Sequence, residues 1–378
     1  MQQHFTDLAP RCPDYAGACV TNIVPSLLGP RGTADLPHFF PALARDARQV
    51  VLLVIDGLGW HQLRDRVAAR PTLAPTLATM QGGPITTVSP TTTVTALTSI
   101  ATGATPGEHG LVGYRIDFAG RVVQMLRWGD SQGDARRRLP PRDVQPCPPF
   151  LGTSVPVLSK AEFDGTAFTE SHLRGSRMHS WRAASSIAVD VQHLLMRGEP
   201  FVYCYYDGVD KIAHERGFGE FYDAELLAAD RLVADIATSL PKDAVLLVTA
   251  DHGQVMVGSN TMQLAPDVTR HLSHQSGEGR FRWLHVNSSR VDEVVAAARS
   301  QHGDVAWVMT RDEMIDAGYF GPRVTDVVRR RMGDVAVMAK ADVSFDDPAD
   351  KTYFELQCRH GSMTSAEIDV PFLGVAGR

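Results

Sequence analysis

Short apolar runs recur along the chain, and they constrain its fold more than any other feature of the sequence. Four of them stand well apart: Gln49–Ile55, 84–88, Phe201–Tyr206 and Ala244–Thr249. Runs with so few polar residues are typical of strands that are buried on both faces of a mostly parallel sheet. The stretch before Pro241 instead repeats apolar residues at helical spacing. The chain is therefore predicted to be an α/β protein with a doubly wound, mostly parallel central sheet flanked by helices.

The 378 residues are expected to form one large domain with a smaller insertion. Residues 261–343 are predicted to be a cap subdomain of α+β type, because a strand-like run at 281–286 precedes a helical repeat. Thr310 and Glu313 then have the spacing of a capping box, which predicts a further helix. Residues 117–180, rich in glycine, proline and arginine, show no clear pattern, and we expect them to cover the sheet near the site.

Composition and charge exclude several classes of function. The 43 acidic and 37 basic residues give a formal net charge of -6, which repels a nucleic-acid backbone at long range. The longest apolar run, 50–55, is far too short to span a bilayer, so no membrane partner is expected. The N-terminus lacks the pattern of a signal peptide, which predicts a cytoplasmic location. Five cysteines without a C-x-x-C pair predict reduced thiols.

Aspartates follow three of the four apolar runs: Asp56 after the first, Asp207 and Asp210 after the third, and Asp251 after the fourth. Because the carboxyl ends of parallel strands meet at one edge of a sheet, these side chains are expected to converge. His214 follows Asp210 by four residues, and His252 is adjacent to Asp251. Carboxylate with imidazole suits zinc, manganese or iron rather than calcium. One such aspartate is usually a turn or capping residue, but the set predicts two divalent metal ions.

A threonine-rich segment, 89–103, follows the second apolar run and has the pattern of a helix that ends at Gly103. A hydroxyl at a helix start lies at the positive end of the helix dipole, which favours an anionic substrate. These threonines also suit simple helix capping, but beside two metal ions one of them becomes a candidate nucleophile. Competing motifs are incomplete: Gln62 replaces the third glycine of a dinucleotide fingerprint, and the sequence has no P-loop, HExxH or GxSxG motif.

These motifs stand in an order that is shared with a known group of enzymes. In chain order they are Asp56, Pro90-Thr91-Thr92-Thr93, Thr102-Gly103, His109-Gly110, Asp210 to His214, Asp251-His252-Gly253 and His360-Gly361. As a set they resemble the alkaline phosphatase superfamily, and most nearly its nucleotide pyrophosphatase/phosphodiesterase branch. The resemblance runs from about residue 49 to the C-terminus.

The resemblance implies two divalent ions of zinc type, with manganese or iron as alternatives. One ion would be held by Asp210, His214 and His360, and the other by Asp56, Asp251 and His252. Thr93 would contact the second ion and act as the nucleophile, because the family's nucleophile stands three residues after the proline that matches Pro90. A phosphothreonine would form on Thr93 and then be hydrolysed by water.

The implied function is metal-dependent hydrolysis of a small phosphoryl compound of the phosphodiester or pyrophosphate class, with nucleotides among the candidates. A phosphomonoesterase or a phosphonate hydrolase would use the same residues, and a non-catalytic scaffold is a weaker alternative. Tyr114 stands where the branch usually has an asparagine that holds a phosphoryl oxygen, so we expect Tyr114 to bind substrate instead. Arg115 is a second candidate phosphate contact. The sulfatase motif CxPxR is incomplete after Cys147.

Overall fold

The computed structural model describes residues 7–350 and 355–377. Its strands are β1 (Gln49–Ile55), β2 (Gln81–Thr86), β3 (Arg115–Asp117), β4 (Val122–Gln124), β5 (Gly129–Asp130), β6 (Gly133–Asp134), β7 (Pro156–Lys160), β8 (Arg177–Trp181), β9 (Phe201–Tyr206), β10 (Ala244–Thr249), β11 (Val255–Met256), β12 (Thr261–Met262), β13 (Leu272–Glu278), β14 (Phe281–Val286), β15 (Ala306–Thr310), β16 (Val335–Ala339), β17 (Ser344–Phe345), β18 (Cys358–Arg359) and β19 (Asp369–Ala376). Its α-helices are α1 (Ile23–Leu28), α2 (Trp60–Ala69), α3 (Pro75–Thr79), α4 (Thr93–Thr102), α5 (Pro106–His109), α6 (Pro141–Val144), α7 (Ala167–Leu173), α8 (Ser185–Met196), α9 (Gly208–Arg216), α10 (Glu220–Ser239), α11 (Pro266–Thr269), α12 (Val291–His302), α13 (Arg311–Asp316), α14 (Asp326–Arg329) and α15 (Ser365–Ile368).

Seven strands form the central sheet, in the order β2-β19-β10-β1-β9-β7-β8. β10, β1, β9, β7 and β8 are parallel to one another, whereas β19 runs antiparallel to both of its neighbours. The predicted runs at β1, β9 and β10 form strands with the predicted bounds, and the run at 84–88 overlaps β2. The α/β fold with a mostly parallel sheet is therefore confirmed.

α10 shows how the helices cover this sheet. Leu226, Ala229, Val233 and Ile236 recur at steps of three and four and are fully buried, and α10 packs against α3, α8 and α9. Burial of a leucine or valine side chain stabilises the folded state by about 1.5–3 kcal/mol. The predicted helix before Pro241 is confirmed. Within the described residues, no helix combines the length and the apolar character needed to cross a membrane.

Residues 117–180 are expected from the sequence to cover the sheet near the site, and the structure corrects the first part of this expectation, because part of the segment belongs to the sheet itself. This segment supplies β7 and β8, which form one end of the central sheet, and also most of a small antiparallel sheet, β3-β4-β5-β6. β7 begins with Pro156 and ends with Lys160, and β8 is an edge strand with mostly polar, partly exposed residues. Neither strand has the continuous apolar run that identified β1, β9 and β10, so the sequence pattern did not reveal them.

A second, four-stranded antiparallel sheet, β13-β14-β16-β15, lies within the segment predicted to be a cap. It has its own cluster of buried apolar residues, which includes Leu284, Val294 and Val337 and lies between the sheet and α12. The predicted capping box at α13 is present, since Glu313 N donates to Thr310 Oγ1 at 3.1 Å and Thr310 N donates to a Glu313 carboxylate oxygen. The boundaries 261–343 of the cap stay a prediction.

A fully buried ion pair ties this second sheet to the C-terminal part of the chain. Arg280, between β13 and β14, donates from Nε to Glu367 Oε1 at 2.8 Å and from Nη2 to Oε2 at 2.9 Å. Its Nη1 also donates to the carbonyl oxygens of Ala341 and Val343, each at 2.8 Å. Because both charges are shielded from water and fully paired, the two parts of the chain are fixed relative to each other at this point.

Candidate functional site

Four segments bring the predicted aspartates and histidines to the carboxyl edge of the central sheet. Asp56 directly follows β1, Asp210 lies in the first turn of α9 after β9, and Asp251 with His252 follows β10. His360 follows β18, outside the central sheet. The structure thus brings together residues that lie far apart in sequence, as the alternation of strands and helices predicted.

Asp56, Asp251 and His252 form one group of possible metal ligands. His252 Nε2 lies 3.4 Å from Asp56 Oδ1 and 3.4 Å from Asp251 Oδ2. Both of these carboxylate oxygens are buried, and neither accepts a hydrogen bond from any described residue. Burial, and then the neighbouring Asp251, raise the pKa of Asp56 well above its ordinary value. Two buried carboxylates with unsatisfied oxygens fit a divalent cation, which would supply the missing positive charge.

The second group of possible metal ligands is Asp210, His252 and His360, so His252 belongs to both groups. His214, which the resemblance placed with Asp210 and His360, lies beside Asp210 but is not part of this group. Asp210 Oδ1 lies 3.2 Å from His214 Nε2 and 4.0 Å from His360 Nε2. Burial alone would raise the pKa of Asp210, but the charges of His214 and then His360 hold this pKa below its ordinary value. The rings of His252 and His360 stack with their centroids 3.6 Å apart. The two groups are therefore adjacent, with His252 and His360 between them.

The three histidines are oriented alike. In each of them the Nδ1 atom faces a backbone carbonyl oxygen: Cys358 O at 2.7 Å from His214, Thr91 O at 2.9 Å from His360, and Gly253 O at 3.1 Å from His252. A carbonyl can only accept, so Nδ1 carries the proton and Nε2 keeps its lone pair when the ring is neutral. The Nε2 atoms face the carboxylates. This tautomer leaves Nε2, the nitrogen that faces the carboxylates, free to bind a divalent metal.

Thr93 is the first residue of α4, and its hydroxyl faces the first group. Thr93 Oγ1 lies 3.1 Å from His252 Nε2. The hydroxyl of Thr91 instead donates to Ser362 O at 2.8 Å, and Thr92 is almost completely buried next to Glu278. Of these three threonines, Thr93 alone lies at both the candidate ligands and the cavity described next.

A cavity of about 200 Å³ opens beside Thr93. Its walls are mainly apolar and aromatic, and come largely from the segment that the sequence left unassigned and from β9: Leu97, Leu126, Phe163, Phe168, Leu173, Tyr203 and Tyr205. Asp207, one of the aspartates expected to converge, lines the cavity but is not in a candidate ligand group. It lies 3.2 Å from Lys160 Nζ and 3.5 Å from Lys211 Nζ, so it neutralises charge from both lysines.

Tyr114 lies next to β3, and its hydroxyl accepts a hydrogen bond from Gln124 Nε2. Burial raises the pKa of Tyr114 to about 12, so the hydroxyl stays protonated at neutral pH. Tyr114 is not among the described residues that line the cavity, and its substrate contact stays a prediction. Arg115 pairs with Asp347, at 2.5 Å between Nη1 and Oδ2, in a buried position.

Three neighbours of the site escaped the sequence analysis. Tyr205 donates its hydroxyl proton to Asp56 Oδ2, and Gln254 Nε2 donates to Asp210 Oδ1 at 3.0 Å. Glu278 Oε2, at the end of β13, lies 3.8 Å from His360 Nδ1. Tyr205 has a weak signal, since it lies on β9, two residues before Asp207. Glu278 has none, because it comes from a different sheet.

Comparison with known proteins identifies the group of enzymes to which this arrangement corresponds. The family model described as type I phosphodiesterase / nucleotide pyrophosphatase matches residues 50–193 and 177–363, which together cover more than half of the chain. The chain belongs to this family. The resemblance inferred from the motifs, to the nucleotide pyrophosphatase/phosphodiesterase branch of the alkaline phosphatase superfamily, is confirmed, and this family member is a hydrolase of phosphoryl bonds.

Solved structures share the fold of this family member at low sequence identity. Murine ectonucleotide pyrophosphatase / phosphodiesterase 5 is 14% identical, with 87% of this chain and 88% of that chain covered and a TM-score of 0.63. Phosphonoacetate hydrolase from Sinorhizobium meliloti 1021, in complex with phosphonoacetate, is 15% identical, with 87% and 90% covered and the same TM-score of 0.63. No curated protein sequence is a significant match to the chain.

Proposed function

We propose that this protein is a metal-dependent phosphodiesterase or nucleotide pyrophosphatase that forms a phosphothreonine on Thr93. One observation carries the proposal: the Thr93 hydroxyl lies 3.1 Å from His252 Nε2, lines the cavity, and is next to buried carboxylate oxygens that accept no hydrogen bond from the part of the chain that the structure describes. A hydroxyl that only caps a helix would not require an imidazole and two carboxylates beside it. A hydroxyl that acts as a nucleophile does require such groups, because a base or a metal ion must activate it.

The residues present fit two divalent metal ions, for which Zn²⁺ is the first choice and Mn²⁺ or iron the alternatives. Asp56, Asp251 and His252, together with Thr93, would hold one ion; Asp210, His214 and His360 would hold the other. When bound, these ions would supply positive charge that lowers the pKa of the Thr93 hydroxyl and stabilises negative charge on the phosphoryl oxygens.

The chain itself positions the nucleophile and the phosphoryl group. Thr93 is the first residue of α4, and the residues from Val94 to Thr102 are buried, so the rest of the helix anchors it rigidly. The amino end of α4 adds a partial positive charge for an anionic substrate. A bond forms between phosphorus and Thr93 Oγ1, which loses its proton, while the bond to the leaving oxygen breaks and that oxygen gains a proton. Water then attacks phosphorus, the bond to Oγ1 breaks, and the phosphoryl product leaves as Thr93 regains its proton.

The cavity supports an organic substituent on the phosphoryl group. Phe163, Leu126 and their apolar neighbours can pack against a nucleoside or another aromatic leaving group, and Lys211 already pairs with Asp207. A small carboxylated phosphonate or a phosphomonoester would need unpaired positive charge facing its extra anionic oxygens. An inactive variant of the murine phosphodiesterase binds AMP, and the Sinorhizobium enzyme binds phosphonoacetate. The apolar walls favour the first kind of ligand for this chain.

Two isosteric substitutions test the role of Thr93. Thr93→Val should abolish turnover of bis(4-nitrophenyl) phosphate, by on the order of a thousandfold or more, and leave the zinc content unchanged. Thr95→Val is the matched control, because its hydroxyl is buried on the same helix and has no hydrogen-bond partner among the described residues. Retained turnover in Thr93→Val would overturn the proposal.

The substrate class is tested with the same preparations. The zinc-loaded protein is offered bis(4-nitrophenyl) phosphate, 4-nitrophenyl phosphate and phosphonoacetate in parallel. A diester preference is the expected result. A preference for the monoester or for phosphonoacetate would keep the nucleophile and refute the assignment to diester or pyrophosphate bonds.

A further inference from the structure

We propose that Asp117, His274 and His285 form a further metal site, separate from the two ligand groups beside Thr93 and suited to Zn²⁺ or a similar transition-metal ion. The three side chains come from different strands: Asp117 ends β3, His274 lies on β13 and His285 lies on β14. Each offers one ligand atom, and these atoms lie within 4.8 Å of one another. A carboxylate with two imidazoles is a common ligand set for zinc and unsuitable for calcium.

The geometry of this cluster repeats that of the groups beside Thr93. His274 Nε2 lies 3.0 Å from Asp117 Oδ1, as His214 Nε2 lies 3.2 Å from Asp210 Oδ1. The rings of His274 and His285 stack with centroids 4.0 Å apart and planes 13° apart, much as the rings of His252 and His360 do at 3.6 Å and 16°. Stacked imidazoles next to a carboxylate are therefore a recurrent arrangement in this protein, and the first instance is in its family-defining site.

Serine hydroxyls orient both rings of the cluster. Ser273 Oγ lies 3.0 Å from His274 Nδ1, and Ser276 Oγ lies 2.8 Å from His285 Nε2. Ser273 Oγ donates its proton to His285 O at 3.0 Å, so it accepts from His274 Nδ1 and leaves Nε2 of that ring for a metal. The contact with Ser276 occupies Nε2 of His285 and leaves Nδ1 for a metal. Asp117 is fixed as well, since its Oδ2 accepts from Gly120 N at 3.1 Å and leaves Oδ1 on the cluster side.

The protonation states and the exposure suit metal binding. Burial, and then the neighbouring His274, lower the pKa of His285 to about 4, so its ring is neutral and keeps a lone pair at pH 7. Asp117 and His285 are buried, whereas the His274 side chain is 27% exposed. An ion can therefore reach the cluster from solvent, and water can complete its coordination on the exposed side.

The position of the cluster gives the ion a structural task. Asp117 belongs to the hairpin β3-β4, next to Tyr114, and His274 belongs to the strand that ends with Glu278 beside His360. A bound ion would clamp this hairpin onto the second sheet, and β13 ends at Glu278, whose Oε2 lies 3.8 Å from His360 Nδ1. Loss of the ion would loosen β13 without removing any proposed catalytic ligand.

The test measures zinc in the full chain. The protein is stripped with a chelator, reloaded with excess Zn²⁺, desalted and analysed for bound zinc by plasma mass spectrometry. His274→Ala and Asp117→Asn should each retain one zinc equivalent fewer than the unsubstituted protein. His271→Ala is the matched control, because His271 immediately precedes β13 and pairs with Glu293 rather than with the cluster. It should retain as much zinc as the unsubstituted protein.

The difference between variants decides the outcome, whatever the zinc content of the catalytic groups. An equal zinc content in Asp117→Asn, His274→Ala and the unsubstituted protein would overturn the proposal. The cluster would then be only an ion pair between Asp117 and His274, stacked on the neutral ring of His285. Asp117→Asn is nearly isosteric, so it keeps the test valid if a histidine variant fails to fold. As a second measurement, Zn²⁺ should raise the melting temperature of a His360→Ala variant, and it should do so less in His360→Ala combined with Asp117→Asn.

Discussion

Removal of one hydroxyl, by Tyr205→Phe, is expected to weaken metal binding at the first ligand group. The Tyr205 hydroxyl donates to Asp56 Oδ2 inside the protein. Burial, and then the charge of Asp56, raise the pKa of Tyr205 well above its ordinary value, so the hydroxyl remains a donor at neutral pH. A hydrogen bond to a charged group contributes about 1.5–3 kcal/mol. Loss of such an outer partner typically lowers metal affinity about 10- to 100-fold.

Tyr203→Phe is the matched comparison for this prediction. Tyr203 lies on the same strand, lines the same cavity, and has a buried hydroxyl without a hydrogen-bond partner among the described residues. Its removal takes away no interaction, so zinc affinity should change less than about threefold. Competition titrations of each apoprotein against a chelating indicator give both affinities. Equal affinities in the two variants would refute the idea that Tyr205 holds Asp56 ready for a metal.

Three further predictions concern the pH response, the cavity and the buried ion pair. Burial raises the pKa of Glu278 from 4.5 to about 8, so between these pH values the folded carboxyl holds a proton that the unfolded one has released, and the metal-free protein should lose stability as pH rises from 4.5 to 8. Thermal melts should show a smaller loss in Glu278→Gln, and a melting temperature of the unsubstituted protein that does not change with pH would contradict this prediction. Phe163→Ala should raise KM for an aromatic diester several-fold, from about 0.5–1.5 kcal/mol of aromatic contact, at unchanged metal content; an unchanged KM would place the leaving group elsewhere. Arg280→Met leaves the Glu367 carboxylate buried without its ion-pair partner, which should lower the free energy of unfolding, measured with denaturant, by about 3–5 kcal/mol. A loss below about 1 kcal/mol would show that the ion pair does not stabilise the fold.

The parts of the fold that the sequence predicts are those governed by burial on both faces of a strand. β1, β9 and β10 are continuous apolar runs, and the first and last residues of each run predict the bounds of the strand. β19 lies inside the same sheet but contains Pro371 and Gly374, which normally argue against a strand. Pro371 lies opposite Pro84 of β2, so neither strand offers a backbone N–H at this pair. Such pairings depend on the partner strand and cannot be derived from a local pattern.

The candidate site also contains some residues that the sequence predicts and others that it does not. Asp56, Asp251 and His252 are predictable because they directly follow strands that are themselves predictable. His360 follows a two-residue strand outside the central sheet, so only the family resemblance suggested it. Glu278 comes from the second sheet and much of the cavity wall from the segment 117–180, and tertiary packing alone brings these residues to Thr93. Local sequence patterns do not predict such contacts.

The position of β19 sets an order of events during synthesis of the protein. β2 joins the central sheet through β19, yet β19 leaves the ribosome long after β2 and after the helix that carries Thr93. The edge of β10 therefore stays unpaired until β19 has been made, and the closure of so long a loop is expected to slow folding. Since His360 also precedes β19 closely in sequence, Thr93 and the proposed ligands come together only after β18 has been made. A nascent chain is consequently an inactive hydrolase with an open sheet edge, and this is the interval in which it is most exposed to aggregation.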